Sequence, residues 1–289
     1  MDGRPWAGSS PARPSSSSSS SMPDQPVRVA PLRLATWNVN SLKARMPWVE
    51  TWISYAEPDV MCLQETKLSD EAFPAEAFRA LGYDSIHHGD GRWNGVAILS
   101  RVGIEDGAVG LGDGVDEQGC RLIAATCGGV RVHSVYVPNG RSLDSEHYGA
   151  KLAWLAGLAD LLSRTCDPSA DVAVCGDFNV APEDIDVWDP KALSGSTHVS
   201  GPERRALQQL LDWGLVDIFR EHHPEPGLYS WWDYRNGAFH KHHGMRIDLV
   251  LLTRSLASRC TFSMVDRNAR KALGEAKPSD HAPVLVMLG

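Results

Sequence analysis

Short apolar runs rich in β-branched side chains recur along the chain: LRLATWNV, DVMCLQE, GVAILS, RLIAATC, VRVHSVYV, DVAVCGDF, RIDLVLL, TFSMVD and APVLVML. Their length and branching predict strands. Only Gly128-Gly129 separates RLIAATC from VRVHSVYV, the signature of a tight hairpin, so antiparallel pairing is expected. Between the runs the apolar period changes to 3.6. SLKARMPWVETWISYA sets Leu42, Trp48, Trp52 and Tyr55 on or near one face, and YGAKLAWLAGLADLLSR does the same with Leu152, Leu155, Leu158 and Leu162. PERRALQQLLDWG opens with Pro202 in a first-turn position and stops at Gly214. These Leu and Trp stripes are core. Many strands with a few covering helices predict a four-layer αββα sandwich, two mixed and largely antiparallel sheets with helices outside. A parallel doubly wound fold fits less well, because hairpins are frequent and no Gly-rich strand-to-helix turn occurs.

Composition narrows the domain boundaries. The first thirty of the 289 residues, ending in PDQPVRVA, form a Ser/Pro-rich stretch with little to bury, so residues 1–30 are expected to be a disordered tail and 31–289 a single domain. No segment approaches the apolar length of a membrane span, which predicts a soluble, cytoplasmic protein. The six cysteines lack C-x-x-C spacing and are expected to be reduced, buried thiols. A formal charge of -8 argues against binding polyanions by bulk electrostatics. From Trp231 onward, however, nine Lys/Arg stand against five Asp/Glu, which predicts a locally basic surface on an acidic protein.

The chemistry gathers where the runs end. Asn38 and Asn40 close LATWNVNS, Gln64 and Glu65 close VMCLQETK, Tyr136 and Asn139 lie in HSVYVPNG, and Asp177 and Asn179 lie in VAVCGDFN. Asp248 sits in MRIDLVLL, and Asp280-His281 in PSDHAPV, a stiff segment set by Pro278 and Pro283. One acid at a strand end is usually a turn residue or a cap. Four of them, each beside Asn, Gln, Tyr or His, exceed what capping explains, because a sheet brings strand ends onto one rim. Carboxylates and carboxamides without Cys or clustered His are a hard ligand set suited to Mg²⁺ or Mn²⁺. Hydrolysis of a phosphate ester is the leading class, since it needs an oriented water, a base and donors for developing charge.

The segments TWNVNSLKAR, LQETK, WNGVAILS, YVPNG, GDFNVAPEDIDVWDP, ERRAL, WGLVDIFR, YSWWDYR, MRIDLVLL and PSDHAPV together resemble the exonuclease III family of abasic-site endonucleases. That family lies in the DNase I-like endonuclease/exonuclease/phosphatase superfamily. The resemblance runs from about Leu32 to Leu288. GDFN and SDHAP point only to the superfamily, whereas YSWWDYR with GMRIDL, and SGPERRAL before WGLVDIFR, point to the exonuclease III branch. It implies Glu65 as the main Mg²⁺ ligand, with Asn38, Asp177, Asn179 and Asp280 in or near the metal's surroundings. Asp177 would orient or deprotonate the attacking water, and Asn179 would fix its geometry and contact phosphate. His281, oriented by Asp248, would donate to a phosphate oxygen, and Tyr136 would lie near the scissile phosphate as hydroxyl donor or phenolate.

Trp231, Trp232, Tyr234 and Phe239 interleave with Arg235, Lys241 and Arg246, a pattern that suits stacking and phosphate contact on a nucleic-acid face. Alternation along an extended segment puts one of the two tryptophans into the core. The resemblance makes Trp231, Met245 and Ile247 a small apolar pocket for a sugar without its base, and adds Asn139, Arg204, Arg235 and Arg246 to the DNA-contacting set. His240, His242 and His243 read as a solvated basic loop, and the pairs His87-His88 and His222-His223 as surface loops. The expectation is a monomeric repair nuclease acting on duplex DNA with abasic or 3′-blocked sites. Its rivals are a phosphatase of the same fold acting on a small molecule, which has no use for the Trp/Arg segment, and a catalytically idle DNA-binding module, which does not need Glu65, Asp177, Asp248 and His281 together.

Overall fold

A computed structural model of the protein describes residues 31–112, 119–272 and 277–289, so the expected tail over residues 1–30 lies outside the described residues. The strands are β1 (Leu32–Asn38), β2 (Val60–Gln64), β3 (Asp84–His88), β4 (Val96–Ser100), β5 (Glu105–Val109) and β6 (Leu122–Cys127). They continue with β7 (Val130–Tyr136), β8 (Val172–Asp177), β9 (Leu215–Asp217), β10 (Asp248–Thr253), β11 (Cys260–Val265) and β12 (Val284–Leu288). The main helices are α1 (Leu42–Ala56), α2 (Ala75–Ala80), α3 (Glu146–Thr165) and α4 (Gly201–Trp213). Two six-stranded sheets result, in the orders β11-β12-β1-β2-β4-β3 and β5-β6-β7-β8-β10-β9.

Each sheet has one parallel pair at its centre, β1 with β2 and β7 with β8, and antiparallel pairs elsewhere. Leu34, Cys62, Ile98, Val132, Cys175, Val250 and Val286 meet between the sheets. The outer faces are covered separately. Trp48, Val49, Trp52 and Ile53 of α1 pack with Trp37, Met61 and Leu99, while Trp154, Leu155 and Leu158 of α3 and Leu207 and Leu210 of α4 pack with Val135, Val174 and Leu249. The architecture is therefore the four-layer αββα sandwich that the strand and helix pattern predicts.

Local chemistry explains the boundaries. The hairpin closes at Cys127 opposite Val130 around Gly128-Gly129, as the two-glycine spacer predicts. Ser200 and Glu203 form a reciprocal capping box at the start of α4, and Gly214, at φ 131°, ends it. Tyr55 departs from expectation. It lies in the last turn of α1, 60% exposed, with only its edge against Trp52. The short strands β3, β5 and β9 carry no strong apolar run and escape the pattern; β5 is exposed throughout, and β9 has three residues. Strand β3 takes in His87-His88, where His87 bonds Thr66 and stacks on Phe73, so this pair is not a loop. His222 ends a short helix, Ile218–His222, and His223 caps it with Nε2 on the Ser263 carbonyl. Of the cysteines, Cys166 and Cys260 are only partly buried, since both fall at the ends of elements rather than inside them. No helix among the described residues is long and apolar enough to cross a membrane.

Candidate active site

The two parallel pairs fix the site's position. Parallel strands share a carboxyl-terminal rim, and their antiparallel neighbours begin there, so β1, β2, β7 and β8 end where β10 and β12 start. Asn38 pairs with Gln64, Tyr136 with Asp177, and Asp177 with Asp248 across the registers. The strand-end residues of the sequence are thereby gathered at one mouth between the sheets.

Close approach of β7 and β8 requires Gly176: a Cβ there would lie 1.9 Å from the Val135 carbonyl oxygen. The side chain of Asp177 is consequently almost completely buried. The loops leaving the strands turn abruptly, with Asn40, Glu65, Lys67 and Asn179 all in left-handed conformation, at φ 45–55°. Non-glycine residues adopt this region at a cost, and its concentration around one mouth is typical of functional sites.

Asn38 lies at the centre. Its amide nitrogen donates to Glu65 Oε1 at 2.8 Å and to Asp177 Oδ2 at 2.9 Å, while its Oδ1 accepts from the Asn40 amide. It therefore ties the two carboxylates together through its amide nitrogen. Glu65, Asp177 and His281 each present a ligand atom within 4.8 Å of the others. Asp280 stands outside this group, because its carboxylate accepts from Asn40 Nδ2 at 3.0 Å and from the Trp231 indole at 3.1 Å. The opposite facing of Asp280 and His281 follows from the extended segment, where consecutive side chains diverge.

His281 Nδ1 donates to Asp248 Oδ2 at 2.8 Å, and its Nε2 lies 3.8 Å from Asp177 Oδ2. Burial alone would discharge the imidazole, but Asp248 and then Asp177 outweigh it and raise its pKa to about 10. Glu65 and Asp177 supply the carboxylate oxygens of this group. Burial, with the charges of Asp248 and Glu65 and against that of His281, lifts Asp177 to about 7. Burial and then Glu65 push the Tyr136 phenol well above its usual range, which makes it a hydrogen-bond donor at neutral pH. Asn179 donates its backbone N to Asp177 Oδ1 at 2.9 Å and its Nδ2 to Asp177 Oδ2 at 3.2 Å, and Asn139 Nδ2 donates to Asn179 Oδ1.

The apolar set is also assembled. Met245 bridges Trp231 and Val187, and with Ile247 and Ala181 it forms a buried patch against which Trp231 packs. Trp231 is partly exposed beside His281 and Trp232 fully buried, so alternation does sort the two. The arginines fare differently. Arg246 is fully buried, bonded to Asp186 and Asp217, and cannot touch DNA. Arg204 is committed to the Ala181 carbonyl and Asp184, and Arg235 is exposed but clasped by Asp233. The carboxyl-terminal excess of positive charge is thus partly interior: Arg246 and Arg270 are both buried. Of the histidine cluster, His240 and His242 are exposed, while His243 stacks on Trp188.

Three neighbours carried no decisive signal in the sequence. Lys67 bonds Asn40 at 2.6 Å and pairs with Glu65 at 3.0 Å, and its only trace is its place in LQETK. Arg121 lies 4.6 Å over the Tyr136 ring and bonds its carbonyl. His198 sits between the Asn179 carbonyl and Asn139, held down to about 4 by burial and Lys151. The last two come from segments without a strand-end motif.

Residues 35–281 match the Endonuclease/Exonuclease/phosphatase family. Exodeoxyribonuclease III of Haemophilus influenzae is 34% identical over 270 residues, covering 88% of this chain and 98% of that protein. An exodeoxyribonuclease of Bacillus subtilis is 30% identical over 262 residues, covering 89% and 99%. Among solved structures, an AP endonuclease from Archaeoglobus fulgidus superimposes with TM-score 0.86 at 40% identity, covering 89% of this chain and 99% of the other. A 3′ phosphatase from Neisseria bound to a product DNA hairpin does so with TM-score 0.85 at 40% identity, with the same coverage.

Proposed function

Because the chain belongs to the Endonuclease/Exonuclease/phosphatase family, in its exonuclease III branch, it is a DNA repair nuclease, and we propose that it hydrolyses the phosphodiester 5′ to abasic sites, leaving a 3′-hydroxyl. The same centre would trim blocked 3′ ends of duplex DNA. The chain would act as a monomer in the cytoplasm.

The observation that carries this reading is the convergence of Glu65, Asp177, Asp248 and His281, from four separate strand ends, on one buried mouth. Convergence of all four is what a hydrolase needs and an idle binding module does not. The oxygen donors fit a hard divalent cation, so Glu65, with Asp177 beside it, would hold Mg²⁺, or Mn²⁺ in its place. When bound, that ion supplies Lewis acidity toward a phosphate oxygen.

The chain's own residues supply the rest. Asp177, with a pKa of about 7, is poised to accept a proton from water near neutral pH. Asn179 fixes both Asp177 oxygens. His281, kept protonated by Asp248, donates to a non-bridging phosphate oxygen, where negative charge grows in the transition state. Tyr136, whose phenol is pushed above its usual range by burial and Glu65, would act as hydroxyl donor near the scissile phosphate. Trp231, over Met245 and Ile247, offers an apolar seat for a sugar that lacks its base. Asn139 and Arg235, both exposed, would meet the strand's phosphates.

A duplex with one tetrahydrofuran abasic analogue, incubated with Mg²⁺ or with EDTA, tests the proposal. The expected outcome is one nick, 5′ to the analogue, with a 3′-hydroxyl that a polymerase extends, and only with Mg²⁺. Intact duplex in both lanes, together with release of phosphate from an inositol phosphate, would overturn it in favour of a small-molecule phosphatase.

A further inference from the structure

We infer that the buried Lys151–Glu203 ion pair positions the catalytic carboxylate Asp177 by clamping the backbone of the two loops beside it; this rests on the role given to Asp177 above. Both side chains are fully buried and bonded to each other. Lys151 stands on the buried face of α3, with Trp154, Leu155 and Leu158 one and two turns further on, where a methionine would satisfy the core as well. Burying two ions there is costly, and a matched apolar pair is often at least as stable, so stability alone does not account for the choice.

What the ammonium touches does account for it. Besides Glu203, Lys151 Nζ donates to the Asn179 carbonyl at 2.6 Å, to the Asn139 carbonyl at 3.3 Å and to Thr197 Oγ1 at 3.4 Å. Glu203 in turn accepts from Thr197 Oγ1 at 2.7 Å, the His198 amide at 2.9 Å and Ser200. One pair of opposite charges therefore joins α3, the start of α4, the loop after β7 and the loop after β8. Burial opposes both charges and lowers Lys151, yet Lys151 and its hydrogen bonds hold Glu203 below the usual carboxylate range. The Asn179 carbonyl is the decisive contact. Asn179 stands at φ 51° and reaches both oxygens of Asp177, so a shift of its backbone is passed directly to the base. Lys151 and Glu203 touch no substrate and are positioning residues.

The test is single-turnover cleavage of the abasic-analogue duplex with Mg²⁺ by the Lys151→Met, Glu203→Gln double variant. Neutralising both partners avoids an orphaned buried charge. The expected result is an unchanged reaction amplitude and duplex Kd, with a rate constant lower by about 10²-fold, the usual consequence of a small misplacement of a reacting group. A rate constant within threefold of the parent overturns the inference. So does a loss of amplitude at unchanged rate, which marks a purely structural role. If the double variant does not fold, Thr197→Val decides: it removes one hydroxyl from the clamp, and the expected loss is about tenfold in rate constant with full amplitude, against no loss if the clamp is irrelevant. A parent that leaves the duplex intact refutes the function proposed above; the same rate comparison on bis(4-nitrophenyl) phosphate then tests the clamp by itself, and a parent inactive on both substrates refutes both.

Discussion

Two of the buried ionic clusters among the described residues are built on opposite rules. At the mouth between the sheets, Glu65, Asp177 and Asp248 face the His281 imidazolium and the Lys67 ammonium, three acids to two cations, and burial with mutual repulsion lifts Asp177 to about 7. Behind it, Asp186 and Asp217 face the guanidinium of Arg246, and Asp186 takes a second one from Arg220. Burial again acts to raise Asp186, but Arg246 and Arg220 overcome it and hold the acid below its usual range. The satisfied cluster fastens the loop at Asp186 to the strand region that begins β10. At the mouth the acids outnumber their cationic partners. Compensation separates structural charge from chemical charge more reliably than burial does, since Asp177 and Asp186 are both buried.

The largest expected effect comes from Asp177→Asn. Geometry survives while the base is lost, so the single-turnover rate should fall by about 10²–10⁴-fold at unchanged duplex Kd, measured by fluorescence anisotropy. Cleavage at the parent's rate would remove Asp177 from its role. Arg246→Met attacks the other cluster and should cost about 3–5 kcal/mol in urea unfolding, because Asp217 loses its cation and Asp186 keeps only Arg220. The folded fraction should bind duplex as the parent does; a selective loss of DNA affinity would restore Arg246 to the DNA-binding surface.

pH separates the clusters more finely. A folded pKa of about 7 for Asp177, against a usual 3.8, means that the native state holds a proton the unfolded chain has released. Stability from this group is complete below pH 4 and is lost as pH rises through 7. Asp186 has the opposite sign: its stabilisation is complete above the ordinary carboxylate pKa and is lost only as pH falls through its lowered value. In EDTA, Asp177→Asn should therefore gain on the parent between pH 4 and 7 by at most about 1.4 kcal/mol per pH unit. Parallel stability curves would contradict this. The smallest effect is expected for Arg204→Ala, whose exposed pairing with Asp184 is worth about 0–1 kcal/mol; a tenfold loss of duplex affinity would mean that Arg204 leaves Asp184 for a phosphate.

The contrast also explains which parts of the molecule were legible in the sequence. Strand runs, helix stripes and the Gly128-Gly129 turn announced the sandwich, because each is a local pattern with one structural solution. Acids at strand ends announced the site, since sheet topology brings such ends together wherever parallel centres share a rim. Partnership across the fold was not legible. Arg246 looked like a DNA contact because its two carboxylates, Asp186 and Asp217, lie 60 and 29 positions away. The bonds of Asn40 and Trp231 to Asp280 were equally invisible, since both partners reach it only in the folded chain. Lys151 disappeared within a leucine stripe, where only its burial against Glu203 distinguishes it from a solvated lysine.

The central claim is that the unsatisfied carboxylates at the mouth hold a hard cation, and thermal melting against rising Mg²⁺, in the absence of DNA, tests it most directly. At 100 times the dissociation constant, a site formed only in the folded chain adds about 2.7 kcal/mol of stability. The parent's Tm should climb accordingly, and Glu65→Gln should lose most of that climb. Equal gains in both proteins, or no gain in the parent, would contradict the account.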